Sequence, residues 1–431
     1  MKIKYLFLIL MVLIGVSGCE DKTDSSVLKV SQSTFDIDEL KSTLNIDIVS
    51  NSTWTIYSNA DWCTLDKNEG EGNAQIAISL SGNQENKARE AEITIISKDS
   101  KQVVKIKQDA ANAYELPVIF HVLYKDQTNP LQYVSQSRLA DILSIVNKLY
   151  KGNSKSPNMN LEFRLANINP DGEPMKTPGV EYIQWPESYP IDCDKFMKDE
   201  TGKYVKYLWD PNKYINVMIY NFTSDNSGTT TLGISHLPFS TKGSTFLEGL
   251  SPVESTHLSL NNLKFPYCAS INSLYINHQS TGDKYNTSDV TVTLAHELGH
   301  YLGLHHVFSE TDEGDLINTC KDTDYCEDTP SYDKKAYDIN YIWAMSEASN
   351  IPNDQLFAYL VKREDCSGTE FTSTNIMDYA ISYSDRFTQD QRDRIRHVLT
   401  YSPLIPGPKK GQTQTRTAAE GPLDLPILIR K

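Results

Sequence analysis

Short segments of alternating apolar and polar residues follow one another from about residue 28 to residue 109. Clear examples are Leu44–Ile48, Ala74–Ile78 and Glu92–Ile96, with Gly, Asn and Asp between the segments. Alternation with a period of two predicts half-buried antiparallel strands. Several such strands within about 80 residues predict a small all-β, immunoglobulin-like sandwich, which we place at residues 29–110.

A different pattern follows, beginning with the apolar run Leu116–Tyr124, which is typical of a buried strand. Apolar residues at helical spacing then predict a helix over Ser137–Leu149. Further strands are predicted at Leu161–Leu165, Ile215–Tyr220, Leu232–Phe239 and Leu274–Asn277. This order indicates an α+β or α/β arrangement around one sheet over residues 113–403. Residues 404–431 contain Pro, Gly, Lys and Thr without periodicity, so we expect a disordered tail.

The formal net charge of −15 argues against nucleic acid as a partner, because nucleic-acid binding requires a basic surface. At the N-terminus, Lys2 and Lys4 precede an apolar run that is too short to span a membrane. We therefore interpret residues 1–18 as a signal peptide, and the polar residues 19–28 as a tether.

The small residues before Cys19 resemble the lipobox of bacterial lipoproteins, in which that cysteine is acylated. Acidic residues after Cys19 resemble the surface-export signal of Bacteroidetes lipoproteins. The resemblance implies an outer-membrane lipoprotein, exposed at the cell surface and held to the membrane by its lipid. The alternative is an ordinary signal peptide in which Cys19 occurs by chance.

The most informative stretch for chemistry is His296-Glu297-Leu298-Gly299-His300. Two histidines four residues apart on a helix lie on one face, so both imidazoles can reach one metal ion. Gly303 fits a chain reversal after the helix, which brings His306 round as a third ligand. Three protein ligands are typical of a catalytic rather than a structural zinc site. We assign Glu297 as the general base and Zn²⁺ as the cofactor.

His305 competes with His306 for the role of third ligand, but its offset from His296 is less favourable. The whole string, H-E-x-x-H-x-x-G-x-x-H, is the signature of metzincin proteases. Their second mark is a methionine in a turn beneath the zinc, and Asn375-Ile376-Met377-Asp378-Tyr379 resembles that Met-turn. In related enzymes a tyrosine two residues after the methionine approaches the metal or the oxyanion, which implies a catalytic role for Tyr379.

Within the metzincins, residues 116–399 resemble the pappalysin family. Besides the zinc motif, the resemblance includes Leu232–Pro238, Glu327–Pro330 and Phe387–Gln391. It implies an α+β catalytic domain with a twisted mixed sheet and an active-site helix. It also implies that the strand within Leu232–Phe239 lies at an edge of the sheet and binds peptide or protein substrates in extended form.

The family resemblance also suggests structural features near the Asp-Thr-Pro turn. Family members carry disulfides there, and Cys320 and Cys366 match one such pair in position, although the extra Cys326 leaves the pairing open. Calcium also binds near this turn in the family. Four carboxylates here could bind structural Ca²⁺: Asp322, Asp324, Glu327 and Asp328. The alternative is a solvated acidic loop.

The N-terminal segment resembles BACON domains over most of its length. The residues that carry the resemblance are Trp54, Trp62, Gly70–Gly72, Asn83, Arg89 and Gln108. The resemblance implies contact with glycan or mucin, and the alternative is a rigid spacer whose aromatic residues belong to its core.

Taken together, these features predict a secreted, lipid-anchored zinc endopeptidase that hydrolyses extracellular or host proteins. Two other functions stay open at this point. One is a glycan-binding surface protein with an inactive or accessory protease fold, and the other is a zinc hydrolase that acts on non-peptide bonds. All three zinc ligands and Glu297 are present, which favours the peptidase.

Overall fold

The computed structural model describes residues 26–224, 230–281, 285–348, 352–379, 381–407, 409 and 420–431. The predicted signal peptide, Cys19 and most of the tether lie outside these residues. The described residues divide into two compact units: those within 1–37, 42–81 and 89–108 form the first, and those within 38–41, 82–88 and 109–431 form the second. Within the described ranges, no helix is long and apolar enough to cross a membrane.

The first unit is an all-β structure, as the alternating pattern predicts. Its strands are β1 (Leu28–Val30), β2 (Thr34–Ile37), β3 (Ser42–Ser50), β4 (Thr53–Ser58), β5 (Cys63–Leu65), β6 (Glu69–Glu71), β7 (Ala74–Leu80), β8 (Arg89–Ser97) and β9 (Ser100–Gln108). One sheet has the order β1-β3-β7-β5 and the other has the order β2-β9-β8-β4-β6. Alternate side chains of both sheets meet in one apolar core rich in isoleucine.

Trp54 lies inside this core, only 2% exposed, and its indole Nε1 donates a hydrogen bond to the carbonyl oxygen of Gly72 at 2.9 Å. Gly70 packs on the indole ring so closely that a Cβ there would lie 2.3 Å from a ring carbon. Trp62 lies beneath the guanidinium of Arg89 at 4.3 Å, and Arg89 Nε donates to Gln108 Oε1 at 2.8 Å. These residues, which carry most of the BACON resemblance, therefore stabilise the fold of the first unit.

The second unit is built on a mixed sheet, which confirms the α+β class. Its elements in chain order are β10 (Tyr114–Tyr124), α1 (Gln136–Lys151), β11 (Leu161–Leu165), β12 (Val180–Gln184), α2 (Cys193–Met197), β13 (Ile215–Tyr220), β14 (Gly233–His236), β15 (Phe239–Thr241), β16 (Ser251–Val253), β17 (Ala269–Asn272), α3 (Val290–Tyr301), α4 (Lys334–Ser346), α5 (Asn353–Leu360), β18 (Lys362–Glu364), β19 (Glu370–Thr372), α6 (Gln389–Tyr401) and β20 (Ile429–Arg430).

The main sheet has the order β11-β10-β13-β17-β14-β20, and β12 pairs with the far half of β10. The strands from β11 to β17 pair in parallel, whereas β14 runs antiparallel to both β17 and β20. Helix α1 buries one apolar face, and its Tyr150 hydroxyl donates to the carbonyl oxygen of Ala295 in α3 at 3.0 Å. This contact fixes the helix that carries the histidine motif.

Two predicted strands need correction. The strand predicted at Leu274–Asn277 is wrong: Ser273–Tyr275 form a 3₁₀ turn because the Asn272 side chain accepts the Leu274 N–H, and the strand lies earlier, at β17. The strand predicted at Leu232–Phe239 is divided into β14 and β15, since Pro238 has no N–H to continue a ladder.

The predicted disordered tail also needs correction for its described end. Leu423, Leu425 and Ile427 pack against the core of the second unit, and β20 pairs with β14. The apolar residues in this segment bury enough surface to hold it in place, which the Pro and Gly content of residues 404–431 concealed. The strand predicted as an edge therefore has a neighbour within the same chain.

Candidate metalloprotease site

Helix α3 delivers the central residues of the site. The Asp289 side chain caps its first turn by accepting the Thr291 N–H at 2.8 Å. The helix ends at Tyr301, and Gly303 follows with a φ of +94°, a conformation that glycine adopts without a steric penalty. A Cβ at Gly303 would lie 2.7 Å from Val398, so the reversal also depends on close packing.

The reversal brings three imidazoles together, as the spacing predicts. His300 Nε2 lies 2.9 Å from His296 Nε2 and 3.2 Å from His306 Nε2. All three side chains are buried. Among the described residues, these three form the one group of three or more potential ligand side chains whose donor atoms lie within 4.8 Å of one another. That group does not include His305.

The opposite ring nitrogen of each histidine is held by a separate acceptor. His296 Nδ1 lies 2.7 Å from the carbonyl oxygen of Ile376, and His300 Nδ1 lies 2.8 Å from that of Leu304. A carbonyl oxygen only accepts, so Nδ1 carries the proton in both rings and the Nε2 lone pairs point to the shared centre. Burial lowers the pKa of His296 to about 3 and that of His300 well below its usual value, which keeps both rings neutral.

The third histidine has a charged acceptor. His306 Nδ1 lies 2.8 Å from Glu310 Oε2, and the carboxylate is also buried. Burial alone raises the pKa of Glu310, but attraction to His306 and Arg430 outweighs it, and the net shift is downward. An ionised carboxylate on Nδ1 orients the ring and raises the basicity of Nε2. Glu310 was not identified from the sequence, although its position four residues after His306 could have suggested it.

Met377 packs against helix α3 at Gly299, between the two histidines of the helix in sequence. A Cβ at Gly299 would be only 2.5 Å from Met377 Sδ, so the glycine in the motif lets the methionine approach the helix. Met377 is fully buried, and its neighbour Ile376 supplies the carbonyl oxygen that holds His296. The turn that resembles a Met-turn therefore positions a candidate metal ligand.

Glu297 lines the same cleft as His296 and Tyr379. Its side chain is buried, and no described residue offers a hydrogen bond to its Oε2. Strand β14 passes so close that a Cβ at Gly233 would lie 2.5 Å from both Glu297 Cγ and Oε1. Burial raises the pKa of Glu297 well above its ordinary value, which favours a carboxylate that takes up a proton readily.

Tyr379 closes the site beside two of the histidines. Its ring centroid lies 4.7 Å from that of His306 and 6.1 Å from that of His296. The buried Asp378 carboxylate accepts the Tyr379 N–H at 2.8 Å and the Tyr332 hydroxyl at 2.6 Å, which fixes the backbone here. Burial raises the pKa of Tyr379, so its hydroxyl stays protonated and can donate.

Comparison with known proteins agrees with this geometry. Residues 268–400, which include all three histidines, Glu297, Met377 and Tyr379, match the peptidase family M43, described as "Pregnancy-associated plasma protein-A". The chain contains a pappalysin-type metalloprotease domain. Residues 51–109 match the BACON family, described as "Putative binding domain, N-terminal".

The pappalysin-type domain also has relatives among characterised proteins. An "Extracellular metalloprotease" of Arthroderma otae is 35% identical over 105 residues, which is 24% of this chain and 29% of that protein. The corresponding protein of Arthroderma benhamiae is 34% identical over 105 residues, with the same coverage. The match thus spans less than a third of these curated relatives. The solved structure of Tannerella forsythia mature mirolysin in complex with a cleaved peptide is 19% identical, covers 66% of this chain and 91% of its own, and has a TM-score of 0.42.

The predicted cysteine pair is present in the structure. Cys320 and Cys366 form a disulfide that flanks helices α4 and α5 of the pappalysin-type domain. Cys326 is a buried free thiol, as are three other described cysteines: Cys63, Cys193 and Cys268. Burial raises the pKa of the Cys326 thiol, which disfavours the reactive thiolate.

The four carboxylates predicted to bind calcium do not converge on one point in the described structure. Asp324 is buried and accepts from the Thr329 hydroxyl and the Cys326 N–H. Asp322 accepts the N–H groups of Asp324 and Tyr325, and Asp328 accepts those of Gln389 and Asp390 at the start of α6. The Glu327 N–H is held by the Asp390 side chain. These contacts organise the loop, and calcium binding here stays a prediction.

The cleft of the pappalysin-type domain has a volume of about 420 Å³. Glu297, Tyr379, Gly233 and Lys431 are among the residues that line it. The Tyr379 hydroxyl donates to the carbonyl oxygen of Lys431 at 2.6 Å. Sequence reasoning missed both Lys431 and Arg430, because it assigned them to a disordered tail.

Proposed function

We propose that this protein is a zinc-dependent endopeptidase that hydrolyses peptide bonds of extracellular proteins. The observation that carries the proposal is the convergence of three buried imidazole Nε2 atoms at a cleft that His296 and the buried Glu297 carboxylate line. The same residues lie inside the segment that matches the pappalysin family.

The donor set fits zinc on chemical grounds. Imidazole nitrogen is a preferred zinc ligand, and three protein ligands leave a coordination position open for chemistry. The Nδ1 atoms of His296, His300 and His306 each have a hydrogen-bond partner. These contacts orient all three rings so that their Nε2 atoms point to one centre. When bound there, zinc polarises a carbonyl group and makes water a stronger acid.

The protein's own groups then handle the proton and the developing charge. Glu297 has a raised pKa, so it can take a proton from the attacking water and pass it to the leaving amine. The Tyr379 hydroxyl already donates to a backbone carbonyl oxygen in the cleft. This supports a role in stabilising the negative charge that develops on the scissile carbonyl oxygen.

The test uses the full chain with casein and gelatin as substrates. We expect cleavage within the protein substrate, loss of cleavage after treatment with a chelator, and recovery after addition of one equivalent of zinc. A glycan-binding protein with an inactive protease fold would cleave neither substrate, and a hydrolase of non-peptide bonds would act on ester or amide model compounds only.

We further propose that the protein is anchored at the cell surface through an acylated Cys19. The support is the sequence before and after this cysteine, since Cys19 lies outside the described residues. Replacement Cys19→Ala should release the protein from the membrane fraction. Retention of the variant in that fraction would contradict the anchor.

We also propose that the N-terminal unit contacts glycan or mucin, on the basis of its match to the BACON family. Trp54 is buried, and one face of the Trp62 ring is covered by the Arg89 guanidinium in that unit. Binding of the full chain to immobilised mucin, compared with a Tyr57→Ala variant, would test it, because Tyr57 is 51% exposed.

A further inference from the structure

The end of the described chain lies in the position that an extended peptide would take along β14. Ile429 pairs with His236 and Arg430 pairs with Ser235 in antiparallel register. The ladder continues with the Leu237 N–H, which donates to the Leu428 carbonyl oxygen at 2.8 Å. One residue further on, the Lys431 carbonyl oxygen accepts from the Tyr379 hydroxyl. If Tyr379 marks the carbonyl that reacts, Arg430 lies in the position immediately before that residue.

Arg430 is buried in a pocket that complements a guanidinium group. Its Nε donates to Glu310 Oε1 at 2.8 Å, and one terminal nitrogen donates to the Asp312 carbonyl oxygen at 2.9 Å. The side chains of Arg430 and Glu310 are each only 1% exposed. Gly314 forms part of the wall, where a Cβ would lie 3.3 Å from a guanidinium nitrogen. The pocket therefore provides a buried anion and a carbonyl oxygen in the directions in which arginine donates.

Charge makes this pocket selective. Glu310 uses Oε2 for His306 and Oε1 for Arg430, so an apolar occupant would leave one oxygen of a buried carboxylate without its donor. Such a loss is costly, because a buried charge requires both a partner and hydrogen bonds. A lysine carries the same charge on a single nitrogen. It lacks the planar guanidinium group, whose separate N–H donors reach the Glu310 carboxylate and the Asp312 carbonyl oxygen together.

Hydrogen bonds and an ion pair fix several points of residues 421–431, the segment that contains Arg430. The Leu423 N–H donates to the Asn262 carbonyl oxygen at 3.0 Å, and the Asn262 side chain donates to the Gly421 carbonyl oxygen at 2.8 Å. The Lys431 ammonium lies 2.6 Å from Asp194 Oδ2. Attachment within one chain gives such a segment a high effective concentration at the cleft, so it competes with any peptide from solution.

We propose that Glu310 and the Asp312 carbonyl oxygen form a substrate subsite for an arginine side chain, and that residues 428–431 occupy this subsite in the same chain. The proposal deepens the peptidase function and rests on it for the direction of substrate binding. The expected ligands are peptides and proteins with arginine at the second position before the scissile bond, which is one residue before the residue whose carbonyl group reacts. Arg430 then acts as a built-in competitor for that position.

The test measures peptide binding rather than turnover. The full-length zinc-loaded protein carries Glu297→Ala, which prevents cleavage, and the probe is the fluorescent peptide Leu-Pro-Ile-Leu-Ile-Arg-Lys with both ends blocked. The matched control peptide has Ala in place of Arg. With Arg430→Ala in the protein, the Arg peptide should bind at least about 10-fold more tightly than the Ala peptide, a difference typical of a charged hydrogen bond. With Arg430 intact, the Arg peptide should bind at least about 10-fold more weakly than it binds the Arg430→Ala protein.

A third protein, in which Glu310→Gln is added to Arg430→Ala, identifies the subsite. Its preference for the Arg peptide should fall to about 3-fold or less, because a neutral amide replaces the buried anion. Circular dichroism and zinc content show whether each variant is folded and loaded, and Arg430→Lys serves as a milder replacement if Arg430→Ala fails to fold. Equal binding of the two peptides would overturn the subsite, and equal binding with and without Arg430 would overturn the built-in competitor. Selective binding without cleavage of casein by the wild type would contradict the peptidase function alone.

Discussion

The approach of β14 to the catalytic carboxylate allows a sharp test at Gly233. Replacement Gly233→Ala adds a single methyl group, and its carbon would lie 2.5 Å from Glu297 Cγ and Oε1. Gly233 does not have a left-handed φ, so alanine fits its backbone and the perturbation is steric only. Since carbon atoms prefer separations of about 3.5–4.0 Å, Glu297 must move by about 1 Å.

A displacement of this size has a predictable cost. Misplacing a catalytic group by about 1 Å lowers the rate by about 10²-fold, and we expect a decrease of this size in kcat/KM. Overpacking of a core by one carbon destabilises a protein by about 1–3 kcal/mol, so the variant should stay folded. The assay follows hydrolysis of a quenched peptide, together with zinc content and the midpoint of urea unfolding.

The matched control is Ile234→Val, the adjacent residue of the same strand, whose side chain is buried in the core. It should lose about 0.5–1.5 kcal/mol of stability while keeping kcat/KM within about threefold. Full activity in a folded Gly233→Ala protein would refute the assigned proximity of β14 to the general base. Loss of zinc in that variant would also refute it, because the methyl group is predicted to displace Glu297 and not the ligands.

Three further predictions address the chemistry, the pH dependence and the disulfide. Glu297→Ala should keep zinc and lower turnover by at least about 10²–10⁴-fold. Tyr379→Phe should lower kcat by about 10–10³-fold with little change in KM, and a fully active Tyr379→Phe variant would remove that residue from the mechanism. Burial lowers the pKa of His236 from 6.5 to about 4 in the folded protein, so its contribution to stability is present above pH 6.5 and is lost as the pH falls toward 4. Between pH 7 and pH 5 the wild type should therefore lose about 2 kcal/mol more than His236→Gln in urea unfolding, and equal losses would contradict this. Cys320→Ala should destabilise the protein by about 4 kcal/mol through loss of the link to Cys366, and an unchanged unfolding midpoint would argue that the bond does not form in solution.

The histidine motif could be predicted from the sequence because its geometry is local. His296 and His300 share a helix face, and Gly303 needs only its own backbone freedom to bring His306 round. The strands of the first unit could be predicted for the same kind of reason, since alternation along each strand reports burial on one face.

The partners of these residues could not be predicted, because they come from distant parts of the chain. Ile376 contacts His296 across 80 positions in sequence, and Arg430 contacts Glu310 across 120. The tail was predicted wrongly because its composition outweighed the alternation of apolar residues from Leu423 to Ile427, which is a visible strand-like signal. Composition reports an average over the segment, whereas the spacing of its apolar residues shows which side chains can pack against the core.

The spacing of the histidines also affects how much a bound metal can stabilise the fold. His296, His300 and His306 lie within eleven residues of sequence, so an unfolded chain keeps three imidazoles close together and retains some affinity for the ion. Stabilisation by a ligand depends on the difference between its affinities for the folded and unfolded states. The folded state adds the acceptors on the outer ring nitrogens, and the most distant of these is the carbonyl oxygen of Ile376. The turn around Met377 contributes no ligand. Because its Ile376 carbonyl oxygen orients His296 in the folded state only, it still increases the amount by which a bound metal stabilises the fold.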